Sequence, residues 1–404
     1  MKILFMSLAD FKTLNTIGLY SSLLQQFVKH GDDVYVLSPV EQQNNWDGKH
    51  IIKETGSTII RFQIGNIQKN SSIIKKGIAT LNVTKFFIKA IKKYLADVKF
   101  DLVLYPTPPI TLLGAVKYVK NRDGAKTYLI LKDIFPQNAV DIGMMSTTGL
   151  KGFIYRYFRK KEKEFYKISD YIGCMSRANV YYVLRHNPEI NADKLEVCPN
   201  TAEPIDYRCN KNQVLKFREK YNLPLDKKIF VYGGNLGKPQ GIPFLIECLK
   251  LLTPVTNAYF LIVGSGTHFG LLKKFIEREQ PGNVKLMQRI PKDDYDQMIG
   301  SCDVGLIFLD HRFTIPNFPS RLLSYMQAKL PILAVTDPNT DVGKVIVDGG
   351  FGWWRESNDA RKVAELVANI AQGTLVCDGE RGFKYLKEHY TPEIAYNIIK
   401  KHFL

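Results

Sequence analysis

Lys228-Ile229-Phe230-Val231-Tyr232-Gly233-Gly234-Asn235-Leu236-Gly237-Lys238-Pro239-Gln240-Gly241 is the stretch from which the rest of the chain is read. Lys228–Tyr232 is a short apolar run of strand type, glycines break it, and Pro243 to Leu252 resumes with apolar residues at helical spacing. A strand, a glycine-rich turn and a helix in that order are half of a parallel α/β unit. Glycines let backbone N–H groups approach an anion closely, and the helix N-terminus adds partial positive charge, so the turn is a phosphate cradle in outline. Its glycine spacing fits neither the dinucleotide fingerprint nor a Walker motif. Without a ligand, the same residues are a tight strand-to-helix turn and nothing more.

Outward from that stretch the rhythm repeats. Further strands are expected at Ala258–Val263, Val284–Met287, Val304–Phe308 and Ile332–Val335. The first half shows the same pattern at Ile3–Ser7, Asp33–Ser38, Ile59–Phe62, Leu102–Tyr105, Thr127–Leu131, Tyr171–Cys174 and Leu195–Cys198, with helices in the gaps. A chain of 404 residues exceeds one ordinary core. The Pro199-to-Pro204 segment separates the two series, which gives domains at 1–205 and 206–390. A terminal helix over 391–404 opens with Thr-Pro-Glu, a good start signal.

Charge narrows the partners. Lys and Arg total 56 against 39 Asp and Glu, a formal +17, and 29 of the basic residues against 18 of the acidic ones precede residue 206. Such an excess favours phosphates, anionic lipid or nucleic acid, but no recognised nucleic-acid module is visible, so nucleic acid is set aside. The six cysteines have no metal-ligand or disulfide-framework spacing. The apolar start Ile3–Leu8 is shorter than a signal-peptide core and reads as a buried strand, and no run approaches the ~20 apolar residues of a membrane span. A cytoplasmic location is expected.

A second glycine turn, Val263-Gly264-Ser265-Gly266-Thr267, also ends a buried strand. Turns at two successive strand ends point to one crevice, where open α/β sheets bind ligands. The segment Phe318-Pro319-Ser320-Arg321-Leu322-Leu323-Ser324-Tyr325-Met326-Gln327-Ala328-Lys329-Leu330-Pro331 begins a helix at Pro319 and Ser320. Arg321 in a first helical turn opposes the helix dipole unless an anion neutralises it, and a guanidinium offers paired donors to phosphate oxygens. The alternative is a surface arginine.

This run resembles the nucleotide-binding helix of the family-4 glycosyltransferases of GT-B fold. The order of the Gly234–Gly237 loop, the Val263–Gly266 turn and the Pro319–Arg321 helix start is similar to theirs over nearly the whole chain. The Gly234–Gly241 loop is closest to capsule and O-antigen enzymes resembling N-acetyl-L-fucosamine transferases. The resemblance implies two Rossmann-like domains around a cleft, with the terminal helix returning to the N-terminal domain. It further implies a sugar nucleotide as substrate, no metal, retention of anomeric configuration, and a bacterial surface-polysaccharide role. The donor set it gives is Gly18, Gly234, Asn235, Gly237, Lys238, Gln240, Gly264, Ser265, Gly266, Arg289, Ile290, Asp310, His311, Pro319, Ser320 and Ser324, with Arg321 at the leaving diphosphate. Two departures stand out: Asn235 and Gln240 occupy loop positions where many members have Arg and Lys, and Ser324 stands where many have a ribose-binding Glu. Serine offers only a shorter, neutral contact.

On the first domain, Leu131-Lys132-Asp133-Ile134-Phe135-Pro136 resembles the family's Asp-x-x-Pro segment. Asp133 is the candidate that accepts or orients the acceptor hydroxyl proton, the alternative being a cap for the next helix. Thr107, Pro108, Pro109 and Phe135 join it as acceptor contacts, with plain turn roles as the alternative. From Lys69 to Lys99, eight lysines interleave with apolar residues, and Phe87, Ile91 and Leu95 form one helical stripe, either an interfacial membrane helix or a core-facing one. Lys151 to Lys161 repeats the aromatic and basic mix. Together they suggest a polyprenyl-diphosphate-linked saccharide acceptor and peripheral contact with the anionic inner face of the membrane. Two rival functions remain open: a sugar-nucleotide 2-epimerase on the same fold, which needs no acceptor, and a non-catalytic scaffold for a partner transferase.

Overall fold

The computed structural model describes residues 1–41, 46, 48–64 and 73–403, leaving aside the side chains of residues 73–82, 150 and 151. Contacts divide the chain into one unit of Met1–Glu203 with Pro392–Leu404 and a second of Pro204–Thr391.

Eight strands make the sheet of the first unit: β1 (Lys2–Met6), β2 (Asp33–Glu41), β3 (Ile51–Glu54), β4 (Ser57–Ile64), β5 (Leu102–Thr107), β6 (Lys126–Leu131), β7 (Tyr171–Cys174) and β8 (Leu195–Val197). Their order is β3-β4-β2-β1-β5-β6-β7-β8, parallel except for the β3–β4 edge pair. In β1, Ile3 to Met6 are fully buried, because a parallel sheet is covered on both faces and its strands become continuous apolar runs. Ile3 sits opposite Val34 on one side and Leu102 on the other. Chain order reverses between β1 and β5, so the loops leaving their carboxyl ends flank this sheet's switch point. Edge strand β3 was not anticipated: Ile-Ile-Lys-Glu alternates between exposed and partly buried and offers no apolar run.

The lysine-rich stripe finds a different partner from the membrane. It lies on the helix Ile73–Tyr94, where Phe87, Ile91 and Leu95 are buried and Phe87 packs edge-on against Phe62 of β4 at 5.0 Å. The core of the unit takes the Phe87–Leu95 part of the apolar face. Lys69 and the side chains of Ile73, Ile74, Ile78 and Leu81 lie outside the described residues. The helix Pro392–Lys400 belongs to this unit: Tyr396 stacks on His30 at 4.2 Å and meets Phe27 at 4.9 Å, while Lys400 pairs with buried Asp32 at 2.9 Å.

The second unit has six parallel strands, β9 (Lys228–Asn235), β10 (Ala258–Ser265), β11 (Val284–Met287), β12 (Val304–Phe308), β13 (Ile332–Thr336) and β14 (Gly352–Glu356). They lie in the order β11-β10-β9-β12-β13-β14, so the switch point falls between β9 and β12. Strand β14 begins on a glycine because a Cβ there would lie 1.9 Å from the Ile332 carbonyl oxygen, and its glycine and charged ends hid it from sequence reading. Asp303 accepts from the Ile229 amide at 2.7 Å and from Arg218 at 2.8 Å, pinning the start of β9.

Candidate active site

Strand β9 runs three residues beyond the expected Tyr232, and this extension builds the site. Gly233, Gly234 and Asn235 pair in register with Val263, Gly264 and Ser265 of β10, so the two glycine turns are one continuous ladder at the sheet's carboxyl edge. Gly264 is glycine because a Cβ would lie 1.9 Å from the Gly234 carbonyl oxygen, and a Cβ on Gly266 would lie 2.5 Å from the Leu236 carbonyl. Gly234, at φ +121, has only Arg321 near its open face, with Nη2 3.5 Å from the Cβ position. Gly241, at φ +58, precedes the helix Ile242–Leu252, a Cβ on it would lie 3.3 Å from Asp310 Cα, and the Asp310 amide donates to the Pro239 carbonyl at 3.0 Å, which joins the loops after β9 and β12 across the switch point.

Within this loop Gln240 acts as a brace. Its Oε1 accepts from Asn235 Nδ2 at 3.0 Å and from the Gly237 amide at 3.2 Å, so these two donor candidates bond each other. The Lys238 ammonium is partly buried and has no ion-pair partner among the described residues. Asp310 departs from its expected role. Its carboxylate accepts from Arg312 Nε at 2.8 Å and Nη2 at 2.7 Å, and these bonds outweigh burial to hold its pKa below the ordinary value. A carboxylate so occupied is a poor acceptor for sugar hydroxyls; Arg312 and the exposed His311 are the side chains that this loop presents.

Arg321 opens the short helix Arg321–Gln327. Its guanidinium carbon lies 4.3 Å from the centre of the Tyr232 ring, and Nη1 is buried without a hydrogen-bond partner. A buried, unmatched donor on a permanently charged group costs roughly 1–3 kcal/mol, which an anion would relieve. The arginine therefore stands over the glycine ladder beside the switch point. Pro319, Ser320 and Ser324 lie at the same helix start, Ser320 exposed and Ser324 partly buried. Ser265 and Gly266 are exposed at the end of β10, and exposed Arg289 with partly buried Ile290 follows β11 one strand further out. Gly18 and the acceptor candidates belong to the first unit and are not part of this group.

In the first unit, Asp133 lies just past β6. It is not the cap of the next helix, Gln137–Asp141, whose capping residue is Pro136. Burial raises the Asp133 pKa, and neighbouring Lys132 opposes the rise. Lys132 itself, which sequence reading did not single out, bonds Asn200, sits 4.9 Å from the Tyr20 ring centre, and is lowered by burial to about 8. Thr107 is buried at the end of β5, where Pro108 is exposed, and the Phe135 ring meets Phe158 at 5.2 Å. Gly18 precedes the helix Ser21–Lys29, its amide 3.3 Å from Ser22 Oγ.

Residues 213–375 match the family model described as glycosyl transferases group 1, a span that holds every second-unit donor candidate named above. The chain is 24% identical over 339 residues to "Probable glycosyltransferase WbjE" of Pseudomonas aeruginosa, covering 83% of this chain and 81% of that protein. It is 21% identical over 390 residues to "Putative colanic acid biosynthesis glycosyl transferase WcaI" of Escherichia coli, covering 93% of each. Among solved structures it resembles Anabaena Alr3699/HepE in complex with UDP-glucose, with a TM-score of 0.70 at 14% identity over 100% of this chain and 99% of that one. The two parallel-sheet α/β units are those of the GT-B class of glycosyltransferase folds. Within that class the chain is similar to the group 1 glycosyltransferases over residues 213–375.

Proposed function

We propose that this chain transfers a hexosyl or N-acetylhexosaminyl group from a UDP-sugar, a GDP-sugar being the second candidate for the donor, to a lipid-linked saccharide in the synthesis of a bacterial surface polysaccharide. The observation that carries the donor half is the buried, unpartnered Nη1 of Arg321, whose guanidinium stands over the Gly234 ladder. In the transfer, the bond from the anomeric carbon to the diphosphate breaks and one to the acceptor oxygen forms, with retention of configuration. Charge develops on the departing diphosphate, and donors already aimed at it stabilise that charge more than the ground state. Arg321, Lys238 and the amides opening the helix Ile242–Leu252 fill this role without a metal, so activity is expected to survive EDTA. Asp133 takes or orients the acceptor proton. The HepE complex with UDP-glucose favours the same class of donor, and the colanic acid biosynthesis in the name of WcaI favours the same class of pathway. Within it, the loop resemblance favours an N-acetylated deoxyhexose such as N-acetyl-L-fucosamine.

The lipid half rests on the helix Gly149–Ile168. Phe153, Ile154 and Tyr157 are 66%, 51% and 45% exposed, and the Arg156 guanidinium lies 4.4 Å from the Phe153 ring centre. Exposed aromatics with Arg156 over Phe153, Lys161 over Tyr157 and exposed Lys160 on the same helix match the chemistry of an anionic bilayer surface. No helix among the described residues is long and apolar enough to cross a membrane, so the contact proposed is peripheral. A thermal-shift screen across UDP- and GDP-sugars tests the reading: stabilisation by UDP-sugars is expected, and a flat response to all of them would refute it.

A further inference from the structure

Gly233 has a neighbour that the donor reading leaves unused. A Cβ on this residue would lie 1.6 Å from Tyr295 Oη and 2.4 Å from its Cζ, so the tip of that ring fills the space any other residue at 233 would need. Tyr295 comes from the helix Lys292–Gly300, outside every motif of the site. Its hydroxyl lies beside that of Tyr325, close enough that each perturbs the ionisation of the other. Tyr325 Oη in turn accepts from the Gly233 amide at 3.1 Å and lies 3.1 Å and 3.0 Å from the carbonyl oxygens of Val231 and Leu306, tying β9 to β12 at the switch point. The third ring, Tyr232, lies under the guanidinium and donates to the Asn235 carbonyl at 2.8 Å.

Three tyrosines therefore border one arginine, and none of them is an anion at neutral pH. Burial pushes the Tyr295 and Tyr232 hydroxyls above their ordinary value, and burial sends Tyr325 the same way. No carboxylate pairs with Arg321 among the described residues. A carboxylate would hold the guanidinium by neutralising it; neutral phenols restrain it and leave its charge available. A free arginine side chain carries ~2 kcal/mol of rotamer entropy, and restraining it before the ligand arrives removes that cost from binding.

We propose that Tyr295 is a positioning residue, acting through Tyr325 and Gly233 to hold the Arg321 guanidinium over the glycine ladder for the diphosphate of the donor. This rests on the donor reading above. The test is a double-mutant cycle read by titration calorimetry with UDP, using the full chain. Tyr295→Phe keeps the ring and removes the hydroxyl packed against Gly233 and beside Tyr325, a polar contact of the order of one neutral hydrogen bond, so UDP affinity is expected to fall roughly three- to tenfold. In an Arg321→Met background the same change is expected to cost less than about twofold, because coupled residues are not additive. An unchanged affinity in the first case, or equal losses in both backgrounds, would overturn the proposal while leaving the donor reading intact. No UDP binding by the parent chain, or none lost in Arg321→Met, would remove the donor reading itself. Should Tyr295→Phe not fold, Gly233→Ala displaces the same ring from the other side and is expected to give the same Arg321-dependent loss.

Discussion

Arg321→Met is expected to move ligand affinity and ligand-free stability in different directions. The guanidinium brings two opposed contributions to the free protein. Its contact with the Tyr232 ring at 4.3 Å stabilises by about 0.5–2 kcal/mol, whereas its buried, unpartnered Nη1 costs about 1–3 kcal/mol. Methionine keeps the length of the side chain, has no donor to bury, and replaces part of the ring contact with a sulfur–aromatic one of about 0.3–1.5 kcal/mol. The ranges combine to between a loss of about 1 and a gain of about 4 kcal/mol, centred on a gain of about 1–2 kcal/mol, which for a unit of this size is a rise of roughly 2–8 °C in melting temperature. Nucleotide binding loses a charge-assisted contact of about 1.5–3 kcal/mol, or roughly 10- to 150-fold in Kd. Melting with and without UDP, together with calorimetry, measures both quantities. A large drop in melting temperature with unaltered UDP affinity would show Arg321 to be a structural side chain stacked on Tyr232, and the site would have to be placed elsewhere.

Gly264→Ala forces a methyl against the Gly234 carbonyl oxygen 1.9 Å away, so a loss of about 1–3 kcal/mol and weakened UDP binding are expected. Gly270→Ala, on the exposed face of the helix Phe269–Glu279 with nothing within 4 Å, is the matched control and is expected to gain about 0.5–1 kcal/mol, both read by thermal melting. UDP release with membrane extract is expected to rise with pH as Asp133 ionises, above the usual carboxylate range because burial raises it, and to decline as Lys132 loses its proton near pH 8. Lys132→Gln is expected to abolish the alkaline decline, and its persistence would assign that limb to another group. Phe153→Ser combined with Tyr157→Ser is expected to weaken co-sedimentation with anionic vesicles roughly tenfold or more; full retention would move the lipid contact off the helix Gly149–Ile168.

Strand cores and glycine turns were legible in sequence because both are local signals. Tyr171–Cys174, Val284–Met287 and Val304–Phe308 fall where their apolar runs place them. What escaped depends on distant partners. Strand β3 exists only because Ile59 and Ile60 offer an edge to Ile52 and Ile51. The stripe on the helix Ile73–Tyr94 has the same periodicity whether lipid or a sheet covers it, and only Phe62 decides between them. Asp310 looked available because Arg312 gave no sign that its fork would turn back two residues. Tyr295 carried no signal of its own; the hint lay in Gly233, a third residue without a side chain where two would have made the turn.

The helix Pro392–Lys400 rejoins the unit that began the chain, which makes residues 204–391 an insertion between two parts of one domain. During synthesis the inserted domain is complete before Pro392 leaves the ribosome, while its host still exposes Phe27 and lacks the Lys400 partner of Asp32. Segment 204–391 is thus the part that can be expressed alone by simple trimming. The host domain calls for splicing 203 to 392, and a truncation that drops the last dozen residues injures the domain at the opposite end of the gene.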